Sequence, residues 1–489
     1  MSHEGDGDAG MAGRGRADGG GDHVRPLHFV LPFTAPDPQL VDPGLGIRRF
    51  TRMGHQHSYT IDVTILDTPD HRLVRAGIML AHRVSRGLGD WYLAASAWTP
   101  PLPGELTVPI DAGGDLPDEL ADLVRVFRRL APLGPVATLS RDRVVHLIRG
   151  DATESDDGEA SGAGAVLGSV RDDRVTVRRG GVVISRSREV TVEPEPTLTA
   201  VQREHLVTVL QATGASRVTG FPALAQRLGA PATRPTDIPA PRPRREARTL
   251  GEFVSRLLGR HLRRIVDADL RLRTGADATP HTLIKRLRLL DRDLTGVARL
   301  LDPGWHDAVQ AHLGVVLAGD CDVATLWRHE DHYLAALDAL VEAVQAAPVG
   351  ERADEPAARE LKRLRRLHAD EVAAYCDALS VDTGDAAWQA AARAVRTFVP
   401  AAGVAAVVGG RRAKGIARRA RRLESRLDRA AGVTEMPSPD ALAAMRPVEA
   451  FAAGRDVQRR VDEVVRYRSG FVADWPALRA GLGGTVGRG

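Results

Sequence analysis

ILDTPDHRLVRAGIMLAHR, residues 65–83, decides the reading of the first half of this chain. It opens as an apolar strand, turns at Asp67-Thr68-Pro69-Asp70, passes a short basic segment and ends as a second strand on Arg83. Proline and aspartate supply the turn, because proline presets φ and aspartate bonds its own backbone. Gly77 stands between Arg75 and Arg83, so two cations flank a strand–turn–strand unit. A pair of arginines so placed suggests an anion site on a sheet.

Working outward, residues 24–228 alternate short apolar runs with turn signals. HSYTIDVTIL, AGIMLAHRV, WYLAASAW, GPVATLSRDRVVHLIRG, GAVLGSVRDDRVTVRRG and GVVISRSREVTVEPE read as strands, several with period two. DELADLVRVFRRLAP and TAVQREHLVTVLQATG read as helices. Many antiparallel strands with few helices predict a barrel or a strongly curved sheet.

The chain has 489 residues, enough for two or three domains, and a formal net charge of +4. Residues 1–23, rich in glycine and aspartate, read as a disordered tail, and 481–489 as a second tail. An acidic insert at 150–164 reads as a loop between strands. Residues 229–248 are dense in proline and arginine and read as a semi-rigid linker. From 249 to 480 the periodicity is helical; Leu283, Leu287, Leu290 and Leu294 form one apolar stripe among some seven to nine expected helices. Cys321 and Cys376 are the only cysteines and have no metal-ligand or disulfide spacing. The most apolar later window, Phe398–Gly410, is too short to span a bilayer. A soluble, cytoplasmic protein without a signal peptide is the expectation.

Basic residues cluster on helix faces. His281, Lys285, Arg288 and Arg292 stack on one helix, and Arg359, Lys362, Arg363 and Arg366 on another. Arg256, Arg260, Arg263 and Arg264 form a third stripe. Nine basic residues against two acidic ones lie between Arg411 and Arg429, among them Lys414, Arg418 and Arg422. A single stripe is ordinarily a solvated face. Four in one bundle point to a polyanion, which relieves the repulsion between like charges. The stripes carry almost no aromatics, which argues for phosphate contacts over base stacking. Lys285, Lys362 and Lys414 are the only lysines, and the first 284 residues have none.

These residues carry a resemblance to two known domains. The first half resembles the CYTH domain of the triphosphate tunnel metalloenzymes, through LDTPDHRLVRAGIMLAHR, WYL (Trp91–Leu93), SRDR (Ser140–Arg143), RDDRVTV and REVTVE (Arg188–Glu193). The second resembles the CHAD domain, through TPHTLIKRLRLLDRDL and AGDCDVATL (Ala318–Leu326). Together they cover about nine-tenths of the chain. The resemblance implies an α+β protein: an N-terminal antiparallel eight-stranded tunnel-like β-barrel, then a C-terminal all-α helical bundle. It also implies inward arginines and lysines on a triphosphate, and glutamates on Mg²⁺ or Mn²⁺.

Departures from the family are specific. Its Glu-x-Glu-x-Lys signature aligns with VRPLHF, which puts Val24, Pro26 and His28 at those positions. Ala81 and Ala94 replace basic residues, and Thr191 interrupts a glutamate triplet, leaving Glu189 and Glu193 as the metal-ligand candidates. Arg75, Arg83, Arg143, Arg186 and Arg188 remain as weak phosphate contacts in the tunnel. In the bundle Ile284 holds an expected arginine position and Ala443 an expected histidine, while Pro447 breaks the pattern of a second histidine helix. The resulting expectation is a non-catalytic scaffold that binds inorganic polyphosphate in the bacterial cytoplasm, at polyphosphate granules, without membrane contact. No cofactor is needed for binding; Mg²⁺ or Mn²⁺ enters only if the tunnel is active. The alternatives are a triphosphatase or tripolyphosphatase with an altered metal site, and a nonspecific nucleic-acid-binding protein.

Overall fold

The computed structural model describes residues 25–110, 114–151, 164–319, 322–432 and 438–482. The expected N-terminal tail, Val24, Cys321, nearly all of the acidic insert and residues 483–489 lie outside the described residues. The chain divides into two compact units, residues 1–236 and 237–489.

The first unit is one antiparallel sheet of ten strands: β1 (Leu27–Leu31), β2 (Arg49–Arg52), β3 (Tyr59–Asp67), β4 (Met79–Ser85), β5 (Leu88–Ala94), β6 (Glu105–Pro109), β7 (Gly134–Arg149), β8 (Val166–Arg179), β9 (Val182–Pro194) and β10 (Ser216–Val218). Its order is β10-β1-β9-β8-β7-β3-β4-β5-β6, with β2 pairing β7 off this path. The expected antiparallel architecture is present, with ten strands rather than eight. Among the described residues no ladder joins β6 to β10. Five short helices accompany it: α1 (Arg72–Arg75), α2 (Asp118–Leu123), α3 (Arg125–Arg128), α4 (Ala200–Ala212) and α5 (Leu224–Leu228).

The quoted stretch folds as β3–α1–β4, and the buried Asp67 organises it. Its carboxylate accepts the N–H of Thr68 at 2.7 Å and those of Leu73 and Val74 at 2.9 Å. Two of these belong to the helical turn of α1, whose first N–H groups have no partner within it. Burial holds the Asp67 carboxyl above its ordinary value, against the pull of the three N–H groups. Gly77, at φ +77, then turns the chain back into β4.

Alternation gives the sheet two faces. On one, Leu206, Val207 and Leu210 of α4 pack on Leu27, Phe29, Val190 and Val192. On the other, Val74 of α1, Leu228 of α5 and Ala232 pack on Val63, Ile65, Ala81, Leu139 and Val177. The second face is the one on which His28, Arg83, Arg143 and Glu189 also lie by register. The chain's own α5 therefore covers part of the surface where an interior ligand would sit.

The second unit is helical: α6 (Leu250–Arg273), α7 (His281–Val297), α8 (Pro303–Ala318), α9 (Val323–Arg328), α10 (Glu330–Gln345), α11 (Ala357–Asp377), α12 (Asp385–Ala405), α13 (Gly410–Ala430), α14 (Pro439–Ala443) and α15 (Pro447–Ala480). The described residues thus form ten α-helices, more than the seven to nine expected, because short α9 and α14 carry too few residues for a clear period. Leu283, Leu287, Leu290 and Leu294 are buried as the stripe predicted. Among the described residues no helix is long and apolar enough to cross a membrane.

Helices α7 and α12 meet at Gly296. A Cβ there would lie 2.7 Å from the Ala401 nitrogen and 2.8 Å from the Pro400 carbonyl carbon. Both neighbours are backbone, so only separation of the helices can relieve the clash. Gly296→Ala is expected to destabilise the protein by about 1–3 kcal/mol despite alanine's better helix propensity. Urea unfolding should show a lower midpoint with an unchanged slope; an unchanged midpoint would mean that the crossing is loose.

Candidate anion-binding sites

On the α5 face of the sheet, each expected cation meets a carboxylate. Arg143 and Asp173 stand directly opposite on β7 and β8 and form a bidentate pair at 2.9 and 3.0 Å, with both side chains buried. Arg83 and Asp90 stand opposite on β4 and β5 and pair at 3.0 and 3.3 Å, with the Arg83 guanidinium 4.6 Å from the Tyr92 ring centre. Buried Glu189 lies 2.6 Å from Arg227 of α5 and accepts the Ser187 hydroxyl at 2.7 Å. Glu193 is 3.7 Å from Arg171. Thr191, between the two glutamates, lies 3.4 Å from His28 Nδ1. Pro26 is exposed at the start of β1.

Three sequence candidates are placed otherwise than expected. Arg186 and Arg188 project from the α4 side of β9, since their ladder partners are Thr176 and Arg174, whereas Glu189 faces Asp173. Arg188 is fully buried there and binds Asp172 and Asp37, both at 2.6 Å, and Arg186 lies over the Phe33 ring at 5.5 Å. They are therefore not part of an interior cation set. Arg75 ends α1, beside Asp70 at 4.0 Å.

A cavity of about 760 Å³ opens beside the start of β3, with Arg52, Tyr59, Arg86, Arg143 and Arg174 in its lining. Three of these cations are engaged: Arg143 pairs with Asp173, Arg86 stacks on Tyr59 at 4.2 Å, and Arg174 lies 3.4 Å from Asp37.

The bundle has a different balance. His281, Lys285, Arg288 and Arg292 on α7 are exposed, as are Arg359, Lys362, Arg363 and Arg366 on α11 and Arg411, Lys414, Arg418 and Arg422 on α13. Arg359 is 3.5 Å from Glu355, and His281 Nδ1 is 2.9 Å from the Thr279 hydroxyl. Of these residues, Arg292 lines a cavity of about 180 Å³ together with Arg244, Arg421, Asp293, Pro400 and Gly403. Sequence reasoning missed Arg244 and Arg421. Arg244 sits in the stretch read as linker, in a single 3₁₀ turn at Arg244–Glu246, and Arg421 is one residue away from the stripe that was picked.

Electrostatics in this region are those of excess positive charge. Burial, and then Arg260 and Arg264, lower the Arg244 pKa, against the pull of Asp293. Arg244 Nε and Arg260 Nε are buried without a hydrogen-bond partner. Asp293 is turned to His261 Nε2 at 3.1 Å and lies 3.9 Å from Arg292. Burial and Asp428 raise the pKa of Glu424, while Arg292, Arg396 and Arg421 hold it down. On α11, burial, Arg366 and Arg412 lower that of Arg365. Arg292 of α7 and Arg421 of α13 therefore converge with Arg244 on one cavity, while Arg365 of α11 feels Arg412 at the start of α13.

No family model matches the chain. Two uncharacterised proteins of Mycobacterium tuberculosis, from strains CDC 1551 / Oshkosh and ATCC 25618 / H37Rv, are each 33% identical over 106 residues, which is 22% of this chain and 20% of theirs. The matched stretch thus spans about a fifth of these relatives. Among solved structures, a Bacillus halodurans protein described as a candidate adenylate cyclase is 15% identical, with a TM-score of 0.20, over 36% of this chain and 92% of its own. A Pyrococcus horikoshii OT3 protein is 14% identical at a TM-score of 0.20, over 40% of this chain and 91% of its own. A Hippeastrum protein described as a candidate adenylyl cyclase with a dominant triphosphatase activity is 14% identical at 0.21, over 42% and 98%. These likenesses bring no residue role to this chain.

The Arg143–Asp173 pair generates a stability test. Removing one partner of a buried ion pair costs about 3–5 kcal/mol, whereas replacing both by apolar residues is often near neutral. Asp173→Leu alone should therefore destabilise strongly, and Arg143→Leu with Asp173→Leu much less, in thermal melts of the full chain. Equal losses in the single and double variants would show that the pair is uncoupled.

Proposed function

We propose that the helical unit binds inorganic polyphosphate and that the sheet unit is a catalytically silent relative of the triphosphate tunnel. The observation that carries the first part is the convergence of Arg244, Arg292 and Arg421 on one cavity, with Arg244 Nε buried and unpartnered. An unsatisfied buried donor costs about 1–3 kcal/mol, and an anionic oxygen at the cavity offsets that cost. Guanidinium groups hold phosphate through charge-assisted bonds, stronger than neutral ones. The exposed cations of α7, α11 and α13 extend the positive surface beyond a single phosphoryl group, which suits a chain of them. Among the described residues no aromatic ring lines the cavity, which leaves bases without a stacking partner there and favours polyphosphate over nucleic acid. Accumulation at polyphosphate granules in the cytoplasm is the cellular setting that this reading implies.

The second part rests on charge compensation. Triphosphate needs free cations, and a hard divalent ion needs carboxylates with open lone pairs. On the α5 face Asp173 and Asp90 each receive two bonds from an arginine, and Glu189 is bound by Arg227 and Ser187. These residues do not fit Mg²⁺ or Mn²⁺ as they stand. A hydrolase with an altered site would have to break a buried pair to admit either substrate or metal.

Two outcomes are expected. The full chain should retain long-chain polyphosphate on a filter without added metal, and binding should weaken steeply with salt through counterion release. Arg244→Ala, Arg292→Ala and Arg421→Ala combined should weaken it by about 1–3 kcal/mol, taking a few tenths to about 1 kcal/mol for each partly exposed contact. Circular dichroism would establish that the variant is folded. Undiminished binding would exclude the cavity, and equal displacement by duplex DNA would favour the nucleic-acid reading. Separately, phosphate release from tripolyphosphate or ATP with Mg²⁺ or Mn²⁺ should stay at the level of a heat-inactivated control. Turnover abolished by Glu189→Ala would establish a working metal site.

A further inference from the structure

The described residues hold no group of three or more His, Cys, Asp or Glu side chains placed to ligate a metal. They do hold a close pair of histidines on neighbouring helices. His312 lies on α8 and His332 in the first turn of α10, and their Nδ1 atoms are 3.0 Å apart. The ring centres are 5.3 Å apart and the planes tilted by 52°. Each precedes a buried seam residue by one position: Leu313 after His312 and Tyr333 after His332 are buried. The seam fixes the two backbones, while His312 stays half-buried and His332 exposed.

We propose that His312 and His332 form a two-histidine site for a borderline divalent transition ion of the nickel, copper or zinc type, completed by water. A metal–nitrogen bond of about 2.0–2.1 Å sets neighbouring ligand nitrogens about 3.0 Å apart at an octahedral angle and about 3.3 Å apart at a tetrahedral one. The observed separation needs little or no movement of either helix. Without metal, one Nδ1–H donates to the other Nδ1. With metal, both Nδ1 lone pairs point at the ion, and both rings carry their proton on Nε2, so neither ring changes charge.

Ligand type sets the selectivity. Imidazole nitrogens suit nickel, copper and zinc, whereas Mg²⁺ and Ca²⁺ want oxygen. Copper should bind most tightly by the general order of divalent affinities. The N-terminus of α10 carries the positive end of its dipole beside Glu330 and Asp331 of the same turn, so the two coordinate bonds are what select the ion. Bound metal would tie α8 to α10 within the helical unit. This site is independent of the polyphosphate cavity, whose lining shares no residue with it.

Calorimetry with Ni²⁺ and Zn²⁺ on the full chain at pH 7.5 tests this, with His312→Ala, His332→Ala and the control His306→Ala, each first checked for folding. Wild type and the control should take up one equivalent that either site variant weakens by about tenfold or more, the factor that even outer partners of a metal site command. Cu²⁺ spectra should show nitrogen ligation that is lost in both site variants. Uptake that is absent in wild type, or the same in all four proteins, overturns the assignment.

Discussion

A charge that leaves water must find an opposite charge or a full set of hydrogen bonds, and this constraint organises the sheet unit. Arg143 meets Asp173, Arg83 meets Asp90 and Arg227 meets Glu189, all on the α5 face. The first two pairs are direct ladder partners, so they also select register. A slip of one residue would send one partner of each pair to the other face and bury an unpaired charge. Such pairs contribute little net stability against apolar residues of equal size, and specificity of pairing is the better account of their presence here.

The helical unit answers the same constraint differently. Its stripes leave most cations in water, where repulsion between neighbours costs only a few tenths of a kcal/mol per pair. Arg244, Arg260 and Arg365 depart from this: Nε of the first two and Nη1 of the third are buried and lack a hydrogen-bond partner. At Arg244 burial and the like charges of Arg260 and Arg264 coincide, with Asp293 the carboxylate that pulls against them. One unit thus neutralises itself and the other keeps a local excess of positive charge, although the chain as a whole carries only +4.

Long alternating runs were legible in the sequence: β7, β8 and β9 lie within them, while β3, β4 and β5 overlap theirs with shifted ends. Strands such as β2, with four residues, and β10, with three, are too short to show a period. Arg186 and Arg188 fall on even positions of β9 and Glu189 and Glu193 on odd ones, so period two alone forbade placing all four in one interior. The role of α5 was not legible, because the reach of Arg227 to Glu189 spans some forty positions and depends on how the sheet curves. In the bundle, the helical period exposed each basic face, but not which faces meet. Arg244 was invisible for another reason: proline density makes a segment irregular without making it mobile, and a single 3₁₀ turn sufficed to bring its side chain to the cavity.

The depth of that cavity follows from the core beneath it. Pro400, Gly403 and Val404 of α12 form its base, and α12 is drawn against α7 at Gly296, where no side chain intervenes. Close approach there carries Arg292, one turn earlier on α7, down toward α12, while Arg421 reaches in from α13, which packs on the same helix through Ile416, Ala417 and Ala420. Gly403 leaves open space where a side chain would otherwise stand. Small residues at the helix contacts therefore do two things at once: they permit dense packing below, and they leave room above. The cations around that room are held by helices whose spacing is fixed by apolar contacts, so the electrostatic site inherits its geometry from the hydrophobic core.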